Sequence, residues 1–459
     1  MKKVILLAFI LIFAPVFTFA AQEDSDQIQA RLFSTDGAIT GSFTPFDEDY
    51  RGSGSIATAD LGNDGISELI IGAGPGLTPD VMIYRQDGTE IGSFLAYEET
   101  FDRGVNVAVC DVDNDSEMDI ITAPMFGGGP HVRIFNTWGE LKSEFFAYDE
   151  TFLGGVNISC GDVDGDGFDD IITGPGITGG PHVRIFSNDG TQLFEMFTGS
   201  ADDNTGITVA AADLNGDGDA EIISGRAGYG NPTVVVLDLI NGQLRFVLSL
   251  DAFDDYRNGI QVFSGDIDQD GMDEIGATTQ GGYETSIALF EMTGAKALSL
   301  TTDGESTEHG IVASFIEDDD PTLFTLTSEQ KTQNETGQYI LVDLSEQTLY
   351  AYEDGALVLA SLVSTGKYYY PTPQGRTEVS AKLLWHDYVW SYGEDDPSNY
   401  SLPDVKYNMR FRSHYYLHYA YWHNNFGNKM SHGCVNMPYD EIEFVYNWAD
   451  VGVGVEIVE

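Results

Sequence analysis

Cys434 is one of three cysteines in the 459-residue chain and the only one set beside histidine and glycine, in the run Ser431-His432-Gly433-Cys434. A thiolate is the working nucleophile, and a free thiol of pKa ~8.5 is mostly protonated at neutral pH, so it needs a base or a polarising site. His418 and His423, sixteen and eleven residues upstream, can supply one. Backbone N–H groups at Gly433 and Cys434 are little shielded by side chains, and such donors can hold a developing oxyanion. Nucleophile, base and oxyanion donors then make a compact acyl-transfer kit. On spacing alone, a buried structural cysteine beside incidental histidines is an equal reading.

A second group of residues has metal-ligand spacing. Acidic loops begin at Asp60, Asp111, Asp162, Asp213 and Asp266, with spacings of 51, 51, 51 and 53. Oxygen side chains recur at loop positions 1, 3, 5 and 9: Asp162, Asp164, Asp166 and Asp170; Asp111, Asp113, Asp115 and Asp119; Asp213, Asn215, Asp217 and Glu221; Asp266, Asp268, Asp270 and Glu274. With a backbone carbonyl at position 7, such a loop can wrap a hard cation that needs six to eight oxygens. The first loop has Gly62 at position 3 and keeps only Asp60, Asp64 and Glu68. Strands flank the loops, which rules out an EF-hand. Solvated turns without metal are the plain alternative, although four crowded carboxylates repel.

The elements that must position these loops follow from the period. Each fifty-residue unit reads as an acidic loop, an apolar run such as Asp170-Ile171-Ile172-Thr173-Gly174, a glycine-rich turn, then further strands. Four short strands per unit, with almost no helical periodicity, describe a β-propeller blade. Residues 30–46 copy the second half of a blade, and a decayed sixth loop follows Gly310-Ile311-Val312-Ala313. The reading is a six-bladed ring closed by an N-terminal half-blade, with no metal site in the sixth loop. His131 and His182 recur in Gly-Gly-Pro-His-Val-Arg-Ile-Phe copies, and repetition makes them structural.

The C-terminal motifs resemble a known family. Leu417-His418-Tyr419-Ala420-Tyr421-Trp422-His423-Asn424-Asn425-Phe426-Gly427, followed by Met430-Ser431-His432-Gly433-Cys434-Val435-Asn436, is similar to the active-site signature of L,D-transpeptidases. Upstream, Gln347-Thr348-Leu349-Tyr350, Ser364-Thr365-Gly366 and Pro371-Thr372-Pro373-Gln374-Gly375 extend the likeness. Tyr419 departs from it, since many members carry glycine or serine there. The resemblance implies a carbonyl after the histidine that orients the imidazole, Cys434 as nucleophile, His418 as base and His432 polarising the nucleophile. Gly433 and Cys434 would hold the oxyanion, with Tyr421, Trp422 and Asn436 near the substrate. It implies peptidoglycan stem peptides as substrate, attack before a terminal D-amino acid, and no metal for catalysis. L,D-carboxypeptidase chemistry at the same site is the alternative. The acidic repeats resemble FG-GAP repeats of integrin-type propellers, which implies calcium as a structural ion. A calcium-dependent adhesin or lectin with an inactive catalytic domain is the other class.

Composition sets the partners. Lys plus Arg is 21 against 74 Asp plus Glu, a formal charge of −53. From residue 337 onward there are 7 basic and 16 acidic residues, so the excess lies upstream. Nucleic acid and anionic membranes are therefore excluded as direct partners. Wall glycan or a surface protein remains as a propeller partner, and the chain is expected to be a monomer. Residues 1–20 read as an export signal: Lys2-Lys3, an apolar core from Val4 to Phe13, and Thr18-Phe19-Ala20 for cleavage. The expected location is periplasm, cell wall or extracellular space. The organisation is then a mainly β chain: a propeller at 22–327, a polar linker at 328–337, and a mostly-β catalytic domain at 338–459 with one helix at 438–449. Cys110 and Cys160 sit one register step apart in adjacent repeats. Alternation on a strand sends them to opposite faces, so both are expected buried and free.

Overall fold

The computed structural model describes all residues except 1–15, 20–27, 36–37, 48–49, 51–52, 177, 201–202, 229, 255, 258, 281–285, 303–310, 317, 319–320, 329–337, 346, 354–355, 391–399 and 459. The export signal, the linker and the acidic tip at 394–396 lie outside the described residues. The exceptions are Ser328 and the strand Val16–Phe19, which runs parallel to Lys296–Thr302. Among the described residues no helix is long and apolar enough to cross a membrane.

The chain is mainly β, with one α-helix among the described residues. Six units of four antiparallel strands occupy the first part, each a separate hydrogen-bonded sheet. Five follow chain order, beginning at Gly54–Ala59, Val105–Cys110, Val156–Gly161, Ile207–Ala212 and Ile260–Gly265. The second strand of each is an apolar run buried on both faces, as in Asp119–Pro124 and Asp170–Pro175. The fourth strands, Leu141–Phe146 and Gln192–Phe197, alternate toward solvent. That inside-to-outside gradient is what stacked sheets require of period-2 sequence. Each third strand carries the same bulge, for example between Ile134 and Phe135 and between Ile185 and Phe186. The tight turn after it needs left-handed backbone, supplied by Gly88, Gly139, Gly190 and Gly294 at φ near +80°.

The sixth sheet joins the two ends of this region. Its order is Ile311–Ile316, Thr322–Ser328, Ile28–Ser34, Ile39–Phe43, so the early strands complete a sheet begun by the late ones. Neighbouring sheets are stitched by side chains at one repeated position. Ser55 Oγ donates to Val105 O at 2.7 Å, Asn106 Nδ2 to Val156 O at 2.8 Å, Asn157 Nδ2 to Ile207 O at 2.8 Å, and Thr208 Oγ1 to Ile260 O at 3.1 Å. Thr278 Oγ1 donates to Ile311 O at 2.6 Å, and Thr58 bonds to Ser314 and the Phe315 carbonyl. Apolar clusters fill the spaces between sheets: Ile121, Val132 and Ile134 of the second pack with Val156, Ile158 and Ile171 of the third.

One expectation is overturned here. Cys110 and Cys160 form a disulfide, with Cα atoms 6.2 Å apart. The alternation argument was sound for one sheet, but these cysteines lie on the first strands of two stacked sheets. The back of one sheet faces the front of the next, so side chains on opposite faces are the ones that meet.

The C-terminal part has two sheets around a shared core of Ile340, Val342, Leu349, Met409, Leu417, Val435, Ile442 and Val445. One runs Ala356–Leu362, Thr348–Glu353, Gln338–Asp343, Gly454–Val458, Gly375–Glu378; the other runs Ala381–Trp390, Tyr400–Arg412, Tyr415–Tyr419, Val435–Met437. The helix is Tyr439–Trp448, with Asp440 and Glu441 in its first turn where they complement the dipole. Pro438, expected in that first turn, instead occupies the cap in extended conformation. Ile442, Val445 and Ala449 are buried, as the apolar stripe requires.

Candidate active site and acidic loops

Two short parallel strands bring the C-terminal motif together. Leu417 pairs with Val435 and His418 with Asn436, so Cys434, the residue just before Val435–Met437, comes beside Tyr416. The Tyr416 N–H points at the Cys434 sulfur, and the His414 carbonyl lies 3.8 Å from it. Sequence reasoning missed both, because only the register of a three-residue strand reveals them. His418 Nδ1 is 2.9 Å from the carbonyl of Tyr419. The carbonyl can only accept, so Nδ1 carries the hydrogen and Nε2 is left basic. The Tyr388 and Trp422 rings, 4.8 and 5.7 Å away, lie beside the imidazole.

Burial sets the protonation state. His418 is 3% exposed, and desolvation, then His423 and His386, bring its pKa down to about 4. Cys434 retains some exposure yet is densely surrounded, and that crowding pushes its thiol up to about 12 despite the Tyr416 N–H. The resting pair is therefore a neutral thiol and a neutral imidazole. His423 is also held low, at about 4, by burial and Lys367.

The remaining motif residues form the frame. Met430 N and Ser431 N donate to Thr365 O at 3.0 and 2.9 Å, and Lys367 N donates to Ser431 O at 3.0 Å. Gln347 holds that strap from below: its Nε2 reaches Thr365 Oγ1 at 2.7 Å and its Oε1 accepts Thr365 N–H at 2.9 Å. Gly433 has φ +110°, and a Cβ there would sit 2.4 Å from the Tyr415 ring. Only glycine fits this turn. Its N–H donates to Ser431 Oγ at 2.9 Å, which corrects its expected part as an oxyanion donor and leaves Cys434 N–H from that pair.

Asn436 is buried, 2% exposed, and its Nδ2 lies 2.9 Å from His423 Nε2. His423 Nδ1 accepts Asn425 N–H at 3.2 Å, so His423 is held at both ring nitrogens, by Asn425 and Asn436. Tyr421 is 45% exposed, with its hydroxyl on Pro403 O at 2.9 Å, while His432 stands 4.7 Å from the Tyr370 ring. The first region touches this loop as well: Arg103 Nη1 donates to Gly427 O at 3.1 Å, and the guanidinium lies over Phe126.

The acidic loops divide into kinds. Asp162, Asp164 and Asp170 bring oxygens within 4.8 Å of one another, as do Asp266, Asp268 and Asp270. Asp162 oxygens accept N–H groups of Gly165, Asp166 and Gly167 at 2.8–3.1 Å, so the loop is shaped by its own first residue. Burial first, then neighbouring carboxylates, raises Asp170 to about 7 and, with the same leading cause, Glu274 to about 7. Buried acids held this way fit a hard cation. At Asp213 no three carboxylates gather; Asn215 Nδ2 donates to Glu221 Oε1 at 2.6 Å instead. At Asp111, the oxygens of Asp111, Asp113 and Asp115 also gather within 4.8 Å, and the Lys142 ammonium lies against Asp113 and Asp119. The expected site at Asp213 is therefore the one whose carboxylates do not gather. His131 and His182 are structural, stacked on Phe146 and Phe197 and 3.2 Å from Glu144 and Glu195.

No curated protein matched the chain. Among solved structures, a mutant of the Enterococcus faecium L,D-transpeptidase is 27% identical over 26% of this chain and 49% of its own, with a TM-score of 0.24. The catalytic domain of the E. faecium enzyme is 27% identical over 27% of this chain and 98% of its own, TM-score 0.24. An L,D-transpeptidase from Mycobacterium smegmatis is 19% identical over 55% and 99%, TM-score 0.26. The chain spans about half the length of the longer of these relatives. Family comparison matches residues 162–224 to an FG-GAP-like repeat and residues 337–457 to an L,D-transpeptidase catalytic domain.

Proposed function

We propose that the chain is an exported peptidoglycan L,D-transpeptidase in which Cys434 is the nucleophile and His418 the base. The observation that carries this is the strand register that brings Cys434 beside Tyr416, two residues from His418, whose Nδ1 is tied to Tyr419 O. As the thiol sulfur bonds to the stem-peptide carbonyl, its proton passes to His418 Nε2. Cys434 N–H faces the oxyanion. The C–N bond to the terminal D-amino acid breaks, and the imidazolium returns the proton to the leaving amine. A second amine then attacks the thioester, loses a proton to His418, and releases the thiol. Because both groups start neutral, nucleophile and base are charged only during reaction. Water in place of the amine makes the site a carboxypeptidase.

The first region is read as a closed six-bladed β-propeller, which the side-chain stitches between successive sheets and between sixth and first support. Calcium is the proposed ion of its acidic loops, and wall glycan or a surface protein its partner. The Cys110–Cys160 bond supports export, since disulfides persist in oxidising compartments. Mass spectrometry of muropeptides incubated with the full chain is the test. Cross-linked dimers that have lost D-alanine are expected, and Cys434→Ala should abolish them with the fold unchanged. Unaltered muropeptides with the unsubstituted chain would refute the reading.

A further inference from the structure

The second sheet's acidic loop differs from its neighbours in what lies inside it. Lys142 Nζ is 2.6 Å from Asp113 Oδ2, 2.7 Å from Asp119 Oδ1 and 3.7 Å from Asp115 Oδ2. Asp119 is 1% exposed, matching Asp170, Glu221 and Glu274 at the same loop position. Each loop thus ends on a buried carboxylate that needs a positive or donating partner. In the fourth sheet an asparagine amide serves. In the second it is an ammonium.

The recurring bulge shows that this lysine is a local substitution. Phe135 pairs with Leu141, Phe186 with Gln192, Tyr84 with Glu90, Leu237 with Phe246, and Phe290 with Lys296. The residue after each partner is Lys142, Leu193, Ile91, Val247 and Ala297. Four of the five positions are apolar and one carries a charge. The fifth sheet goes the other way: Glu291 joins Asp268 and Glu274 within 4.8 Å, adding an acid where the second sheet adds a base.

We infer that the Lys142 ammonium is the resident cation of the Asp111 loop, which therefore takes no calcium, and that divalent ions go to the Asp162 and Asp266 loops. This rests on the calcium reading proposed above. An ammonium has three donors in one small head, and here it reaches one oxygen each of Asp113 and Asp119, with Asp115 3.7 Å away. Asp113 Oδ1 and Asp119 Oδ2 are left without a protein partner. A calcium ion at 2.3–2.6 Å from the same oxygens would stand within repulsive reach of Nζ. One cation excludes the other.

The test is calcium titration of the full chain, first stripped with chelator and followed by calorimetry. Lys142→Met should bind one more calcium per chain than the unsubstituted protein. Leu193→Lys, which sets an ammonium against Asp162, Asp164 and Asp170, should bind one fewer. Lys142→Met should also melt at lower temperature in EDTA and recover with calcium. Unchanged stoichiometry in Lys142→Met overturns the inference, as does a Leu193→Lys protein that folds and keeps every ion. An unsubstituted chain that takes up no calcium refutes the calcium reading instead. The inference then rests on melting in EDTA, where a Lys142→Met protein as stable as its parent overturns it.

Discussion

The acidic loops and the Cys434 site both bury ionisable groups, and burial favours the neutral form in each, with different consequences near pH 7. At the Cys434 site, burial holds His418 and the thiol neutral, with pKa values driven to about 4 and about 12. In the loops, burial and crowding raise carboxylates such as Asp170 and Glu221 to about 7. A neutral pair is stable as it stands and becomes charged only when substrate arrives. A set of crowded acids is complete only with a proton, an ammonium or a metal ion. The catalytic part should therefore be indifferent to cations, and the repeats sensitive to them.

The largest effect should come from removing the base. His418→Ala should lower turnover by ~10²–10⁴-fold, while His423→Ala should lose less, because His423 is tied to Asn425 and Asn436. Steady-state kinetics on both variants decides it; a more damaging His423 substitution would reverse the assignment.

The pH response should split the two regions. His418 falls from about 6.5 unfolded to about 4 folded, so its contribution to stability is complete above the higher value and is lost as pH falls through the lower. Asp170 and Glu274 are raised to about 7. Without metal, their contribution is greatest at acid pH and is lost as pH rises through 7. Hydrogen exchange of the chelated full chain should show protection of 415–437 falling toward pH 4. Protection of 162–170 and 266–274 should fall toward pH 8 and return with calcium. Parallel responses in both regions would remove the contrast drawn here.

The smallest expected effect sharpens the boundary between them. Arg103→Ala removes the bond to Gly427 O, and one net hydrogen bond is worth about 1 kcal/mol, so acylation should slow by less than about tenfold with the melting temperature of the repeats unchanged. Equal rates would mean that the contact does not tune the loop that follows His423.

How much of this was legible in the sequence depends on the range of the contact. The helix and the four-strand units follow from local spacing and period. The fate of Gly433 N–H was not legible, since the turn's own Ser431 captures it. The burial of Asn436 is set by the interior strand Val435–Met437. The Cys110–Cys160 bond was misread because alternation reports which face a side chain takes, not which sheet that face meets. Lys142 was passed over for the same reason: its partners lie 23 or more residues away along the chain. Contacts between elements decide all of these, and only tertiary packing supplies them.

The sixth sheet gives the molecule an order of birth. Ile28–Ser34 waits for Thr322–Ser328, roughly 300 residues later, before it has its partner strand. Pairings so distant form slowly, and until then the early strands present open edges that invite wrong pairing. A chain cut short before Thr322 keeps those edges for good and should be a substrate for aggregation and proteolysis. Cys434 is synthesised more than a hundred residues after that strand. A chain whose synthesis stops early therefore lacks Cys434 unless it already holds the last strand of the sixth sheet.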